Sequence, residues 1–237
     1  MKKLILFFLL ISYGHIFAQQ LSTASPEGTK NLIQHYFTAV AEYSALYNGK
    51  METPYDMRMK NHPYFLTTDY VKGDIVYNGA YYTDVSLRYD QYRDQLVART
   101  PDQSYNVVLE SPKVSEANLN GYPIVSTQEL SWQNMPSGNY YIFLYTGEYT
   151  VFYKPTLLVV SSTSNRLVEQ SFKITNRYYV TIDGVCHPVK NKSGFLKLFP
   201  DKRKELNQFA KQERLDFKNN AGQAFIALVK QYELLSK

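Results

Sequence analysis

The chain has 237 residues, with 26 Lys and Arg against 21 Asp and Glu, one Cys and 22 Tyr. A single Cys excludes an intrachain disulfide, so this is not a small disulfide-stapled fold. The length suits one large domain, or one domain with an appendage, whose core needs no staples.

The chain opens MKKLILFFLLISYGHIFAQQ. Lys2 and Lys3 are a basic start, Leu4 to Ile11 is unbroken apolar sequence, and Ile16-Phe17-Ala18 ends on a small residue. This is the three-part grammar of a secretory signal peptide, residues 1–18. The apolar run is short for a membrane span, and no later segment approaches the ~18 apolar residues of a spanning helix. No Cys follows the run, which argues against lipid attachment there. Cleavage after Ala18 removes 18 of 237 residues and leaves 219. The expected location is the periplasm or the outer membrane surface.

The net charge of +5 is local. From His187 to Lys237 there are eleven Lys and Arg against five Asp and Glu, a net of +6. The rest of the mature chain is net negative. Export argues against nucleic acid as the partner, and a basic tail fits an acidic envelope surface or an acidic protein face. A solvated helix face would carry the same charges. The 22 Tyr suit half-wet strand faces and binding surfaces alike.

Residues 19–190 read as an N-terminal helix followed by an antiparallel β domain. Thr29 to Tyr47 carries Ile33, Tyr36, Phe37, Val40, Ser44 and Tyr47 near one helical face, and Asn48-Gly49 stops it. Residues 50–68 are irregular, with the aromatic knot His62-Pro63-Tyr64-Phe65. Gly73 to Thr100 is the clearest structural stretch. Asn78-Gly79 predicts a two-residue type I′ turn. After it, Tyr81, Thr83, Val85, Leu87 and Tyr89 alternate with polar residues, as on a half-buried strand. A polar break at Asp90 to Asp94 returns through Gln95 to Arg99, which makes a β-meander.

Further strands are expected at Tyr105 to Glu110, Ile124 to Leu130, Asn139 to Tyr145, Thr150 to Tyr153, Gln170 to Thr175 and Tyr178 to Ile182. Leu157 to Ser161 is apolar without alternation, the pattern of a strand covered on both faces. Asp183-Gly184 is a second two-residue hairpin signal, returning through Val185 to Val189. About ten short strands with frequent turns predict a barrel-like or sandwich-like antiparallel sheet, and an α+β class overall. Residues 191–237 form a basic helical appendage packed on that sheet. It has a short turn from Lys192, a helix opened by Pro200-Asp201, and an amphipathic helix from Ala221 to Leu235.

The pieces LYNG (46–49), HPYF (62–65), YNGAYYTDVSLRYDQYRDQLV (77–97) and FLKLFPDKRKELNQF (195–209) resemble a group of exported Bacteroidota proteins. The FAQQ signal end is similar to theirs. The resemblance spans most of the mature chain and implies an envelope protein. It implies no activity, substrate or catalytic residue.

The chemistry-bearing residues are sparse. The mature chain has only His35, His62 and His187, no His-x-x-x-His and no Cys pair, so no zinc site is expected. Asp90, Asp94 and Asp183-Gly184 are too scattered for a calcium loop. Cys186 and His187 are adjacent, and on a strand they point to opposite faces. There is no Gly-x-Ser-x-Gly elbow and no phosphate-binding Gly loop. Asp84, Asp90, Asp94 and Glu148 offer carboxylates, with solvated surface as the default for Asp84 and Asp90. No cofactor is expected, and no catalytic residue is assigned.

The best ligand-binding candidates are the aromatic residues Trp132, Tyr141, Phe143, Tyr145 and Tyr153, on two adjacent strands and a neighbouring turn. A sheet covered on both sides would use them equally well. Lys202, Arg203 and Lys204 are the candidate partner contacts. The leading expectation is an exported binding module that is not an enzyme. A hydrolase acting on glycan or peptide, and a small outer-membrane β-barrel, are the alternatives. The oligomeric state is left open.

Overall fold

The computed structural model describes residues 45–55, 59–164 and 167–237, all within one compact unit. The expected leader, residues 1–18, lies outside these residues. So does the helix expected over 29–47, except Ala45–Tyr47, which form a 3-10 turn.

Among the described residues eleven strands form one sheet. They are β1 (Lys50–Met51), β2 (Val71–Tyr77), β3 (Ala80–Asp90), β4 (Gln95–Arg99), β5 (Asn106–Val108), β6 (Val114–Leu119), β7 (Tyr122–Ser126), β8 (Tyr140–Thr146), β9 (Thr150–Ser164), β10 (Leu167–Ile182) and β11 (Val185–Val189). The order is β1-β5-β4-β3-β2-β6-β7-β8-β9-β10-β11, with every ladder antiparallel. The order is linear, and β1 and β11 do not pair with each other, so the sheet is open. Three helices follow: α1 (Lys192–Leu198), α2 (Arg203–Gln212) and α3 (Ala221–Leu235). The class is α+β.

The two-residue turns form as their chemistry requires. Asn78 and Gly79 have φ of 51° and 76°, and Asp183 and Gly184 have 49° and 74°, the left-handed pair of a type I′ hairpin. The alternation in β3 changes phase part-way. Gly73 pairs with Val85 but Ile75 pairs with Tyr82, so Asp74 faces two residues of β3. Asp84, at φ 60°, is in the bulge. Val85, Leu87 and Tyr89 therefore point inward as expected, while Tyr82 is buried and Tyr81 exposed.

The sheet is strongly curved. β3 and β8 stand four positions apart, about 19 Å in a flat sheet at ~4.8 Å per strand. Yet the Tyr89 and Tyr140 rings, one from each, are 5.9 Å apart and edge-on. The concave face thus closes on itself, and Ile75, Leu87, Tyr89, Leu96, Ile124, Tyr140 and Ile142 make one core. Leu144 and Tyr178 join it to a second core, where Val151, Val180 and Val189 meet Phe195, Leu206, Phe225, Leu228 and Val229 of the helices. Asn191 caps α1 by accepting a bond from the Gly194 N–H at 2.9 Å. On the opposite face, Tyr141, Phe152, Tyr179 and Cys186 form a third, smaller cluster.

β9 and β10 are longer than expected, and the two segments expected within β10 are one strand. Beyond Tyr153, β9 has no strand partner other than β10 among the described residues. Leu158, Val159 and Val160 are exposed there, not covered on both faces. Residues 59–61 brace the outer side of the hairpin. Lys60 N–H donates to the Gln170 carbonyl, and the Asn61 amide side chain bonds both N–H and C=O of Phe172.

Candidate functional site

The aromatic candidates divide between the two faces of the sheet. Trp132 stacks on Phe143 at 5.8 Å and lies 5.6 Å from Phe152, which stacks on Tyr179 at 5.2 Å. Tyr141 meets Phe152 edge-on at 5.5 Å. The segment before β8 folds over this side. Gln133 N–H donates to the Gly184 carbonyl, Cys186 N–H donates to the Gln133 carbonyl, and the Tyr141 hydroxyl donates to the Pro136 carbonyl. Trp132, Tyr141 and Phe143 thus fill their face with the chain's own loop. Burial pushes the Cys186 thiol up to about 11, which makes it a packing group rather than a nucleophile.

Tyr145 and Tyr153 lie elsewhere. Phe143 pairs with Phe152 but Tyr145 pairs with Val151, so Leu144 bulges and Tyr145 swings to the helix side. Its hydroxyl donates to Glu233 Oε2 at 2.5 Å, and Lys230 sits 5.1 Å from its ring. Tyr153 is buried in the concave core, 5.6 Å from Tyr178.

Lys202, Arg203 and Lys204 begin α2, with Arg203 and Lys204 exposed and Lys202 half-buried. Lys202 occupies the N-cap position without a capping bond. Cations at a helix N-terminus oppose the helix dipole, by ~0.3–1 kcal/mol each when exposed. Helix physics alone would place Asp, Ser or Glu there. Lys197, Lys211 and Arg214 are also exposed, so the helical layer is basic on its outside.

Two cavities matter. The smaller, about 340 Å³, is lined by Gln91, Asp94, Ser137, Lys154 and Arg177 among others. Lys154 Nζ is 2.6 Å from Asp94 Oδ1 and donates to the Tyr140 carbonyl at 2.7 Å. Asp94 also accepts from the Tyr89 hydroxyl at 2.7 Å and from Asn139 N–H at 2.6 Å. These bonds tie the β3–β4 turn to β8 and β9 across the concavity, so they hold the curl. Burial keeps the Lys154 ammonium below the ordinary lysine value, partly offset by Asp94. Gly138 has φ 151°, and a Cβ there would meet the end of Lys154. The sequence signal for this group was a lone charge within an apolar strand.

The larger cavity is a cleft of about 730 Å³. It lies where β11 ends and the chain before α3 passes over β10. Arg177, Lys190 and Lys218 supply positive charge, and Tyr178, Val189 and Phe217 supply apolar wall. No carboxylate is among its lining residues. Asp216, next to the cleft in sequence, accepts from the N–H groups of Lys218 and Asn219 and from the Asn219 amide. Those bonds hold its carboxyl below the usual range. Sequence reading missed these cations because they come from three separate segments. Among the described residues no group of three or more His, Cys, Asp or Glu gathers as metal ligands, and no helix is long and apolar enough to cross a membrane.

No family model, no curated protein and no solved structure matches the chain.

Proposed function

We propose that this is an exported cell-envelope protein that works by binding an anionic partner and not by turning over a substrate. The leader grammar and the resemblance to exported Bacteroidota proteins support export. The observation that carries the binding reading is the distribution of charge in the C-terminal layer. Its apolar residues are spent on the sheet, while its cations stand outward and in the cleft at its edge. The trio at the start of α2 sits where it opposes the helix dipole, so folding gives no reason for it.

The test is quantitative partner capture from envelope extracts by the mature chain and by K202A/R203A/K204A. The variant should capture at least fivefold less, capture by the wild type should fall steeply between 0.15 and 0.5 M salt, and the melting temperature should be unchanged or raised. Capture indifferent to both salt and the three cations would refute the reading.

A second reading, the hydrolase, has one observation in its favour: Asp94 and Lys154 are a close titratable pair in a cavity. Their hydrogen bonds all run to the scaffold, which favours a structural role. Activity on glycan or peptide substrates that disappears in a folded Lys154→Met variant would favour the enzyme.

A further inference from the structure

We infer that the outer edge of β10 at residues 173–177 takes an extended acidic peptide segment of a partner as an added strand. This names the partner's chemistry and its place, and it rests on the reading that the partner is anionic.

Among the described residues the edge is open over a defined window. β10 is paired with β9 along one side from Leu167 to Val180. Its other side is covered from Tyr178 to Ile182 by β11, and around Gln170 and Phe172 by residues 59–61. Between these covers Lys173, Ile174, Thr175, Asn176 and Arg177 are all exposed.

The direction of the backbone groups in the window follows from its neighbours. In an antiparallel ladder the N–H and C=O of one residue point to the same side, and successive residues alternate. Gln170 and Phe172 direct theirs outward, to Lys60 and Asn61. The β9–β10 register has no irregularity here, so Ile174 and Asn176 do the same. The window therefore presents two N–H and two C=O groups at strand spacing, in line with the pairing that β11 makes from Tyr178.

Charge and shape select what pairs with them. Lys173 and Arg177 flank the window, and Lys190 and Lys218 line the cleft that it opens on. The nearby carboxylates are engaged: Glu169 with Lys60, and Asp216 with the turn before α3. Tyr178, Val189 and Phe217 receive an alternate apolar side chain. Strand addition draws affinity from main-chain bonds and specificity from such side-chain sites. A phosphate or lipid headgroup would use the cations and the N–H groups but leave both carbonyls unmatched. Another backbone matches all four.

The probe is an acetylated and amidated heptapeptide alternating Glu with Val and Ile, titrated into the mature chain by calorimetry. Its controls are the same peptide with Lys for Glu, the Glu peptide N-methylated on alternate backbone nitrogens, and dodecyl phosphate. The key variant is Asn176→Pro. It deletes an outward N–H while leaving the β9 ladder intact, because Asn176 faces Pro155, itself on the far edge of the ribbon. Lys190→Glu with Lys218→Glu is the second variant, and neither residue lies within a strand.

The Glu peptide should bind, the Lys peptide should not, and N-methylation, Asn176→Pro and the double charge reversal should each weaken binding at least tenfold. Hydrogen exchange at Ile174 and Asn176 should slow in the complex. Peptide binding indifferent to N-methylation and to Asn176→Pro would overturn strand addition. Dodecyl phosphate binding with the same dependence on Lys190 and Lys218, while the peptide fails, would assign the cleft to an anionic amphiphile instead. A chain that still captures its partner through Lys202, Arg203 and Lys204 but binds no peptide would overturn this site and leave the function standing. Peptide binding without that capture would do the reverse.

Discussion

Lys154→Met tests whether the curl of the sheet is held by one ion pair. The substitution keeps the length of the aliphatic stem and removes the ammonium. It leaves the Tyr140 carbonyl without its Lys154 donor, a loss of about 1–3 kcal/mol for a buried acceptor. It also strips Asp94 of its cation. Breaking a buried pair from one side costs about 3–5 kcal/mol. Asp94 keeps the Tyr89 hydroxyl and Asn139 N–H, and its side chain is 18% exposed, so the low end applies. The expected loss is about 3 kcal/mol in urea unfolding, or about 6–12 °C in melting temperature for a chain of this size. Adding Asp94→Asn should recover part of that loss, because the stranded charge goes. The pH dependence has a definite sign. Burial depresses the folded Lys154 pKa, so its contribution is present above the unfolded lysine value and is lost as pH falls through the folded one. The wild type should therefore gain on the variant as pH rises towards 10.5. A loss below about 1 kcal/mol, or strict additivity with Asp94→Asn, would refute the claim that this pair closes the sheet.

The buried tyrosines should make the protein sensitive to alkali. Burial raises the folded pKa of Tyr89, Tyr140, Tyr141 and Tyr153, with Tyr141 reaching about 12. A raised folded value gives stability that is whole below pH 10 and lost as pH climbs through the folded value. Tyrosinate absorbance at 295 nm should lag behind a free-tyrosine curve and then rise together with loss of far-UV circular dichroism, and a single smooth titration near pH 10 with intact dichroism would contradict this. Gly138→Ala should cost about 2 kcal/mol, from a φ of 151° and the Lys154 contact, and less once Lys154 is Ala, as a double-mutant cycle in urea would show. Val159→Lys places a charge on the uncovered edge of β9 and should lower self-association by light scattering while changing stability by less than about 0.5 kcal/mol.

Turns and helices were legible because their cause is local. Asn78-Gly79 and Asp183-Gly184 need φ above zero, and the sequence supplies residues that adopt it. The last helix runs from Ala221 to Leu235 in pattern and in structure alike, since its apolar stripe meets a single surface. Faces were legible only up to the bulges. The odd-numbered rule for β3 fails at Asp84 and the grouping of Tyr145 with Tyr141 and Phe143 fails at Leu144, because one extra residue reverses every side chain beyond it. Nothing in the pattern of β3 announces that Asp74 will face two residues. The apolar run Leu157 to Ser161 misled for another reason. Continuous apolar sequence signals double coverage only where a sheet continues, and here the β8–β9 ladder stops at the pair Ile142–Tyr153. The cleft was invisible for want of any local motif, as Arg177, Lys190 and Lys218 meet only after β11 has turned back beside β10.

Lys173 and Arg177 have a competing explanation, since charged residues commonly protect a strand edge from unwanted pairing. Two features of the molecule weigh against protection as the whole account. Beyond Lys154, whose ammonium is taken by Asp94, the edge of β9 is longer and carries Leu157, Val159 and no charge up to Ser164, with only Pro155 to blunt it. A molecule that guarded its edges by charge would have guarded that one first. Moreover, protection needs charge on the strand itself, whereas Lys190 follows β11 and Lys218 precedes α3. Neither belongs to β10, yet both face the cleft beside its window, and no carboxylate lines that cleft to neutralise them. Three cations, Arg177, Lys190 and Lys218, converge from three segments at one end of this window, and they repel each other unless something negative lies between them. Replacing Lys190 and Lys218 by Gln should then raise the stability of the free protein in low salt, by a few tenths of a kcal/mol, while weakening its hold on an acidic strand.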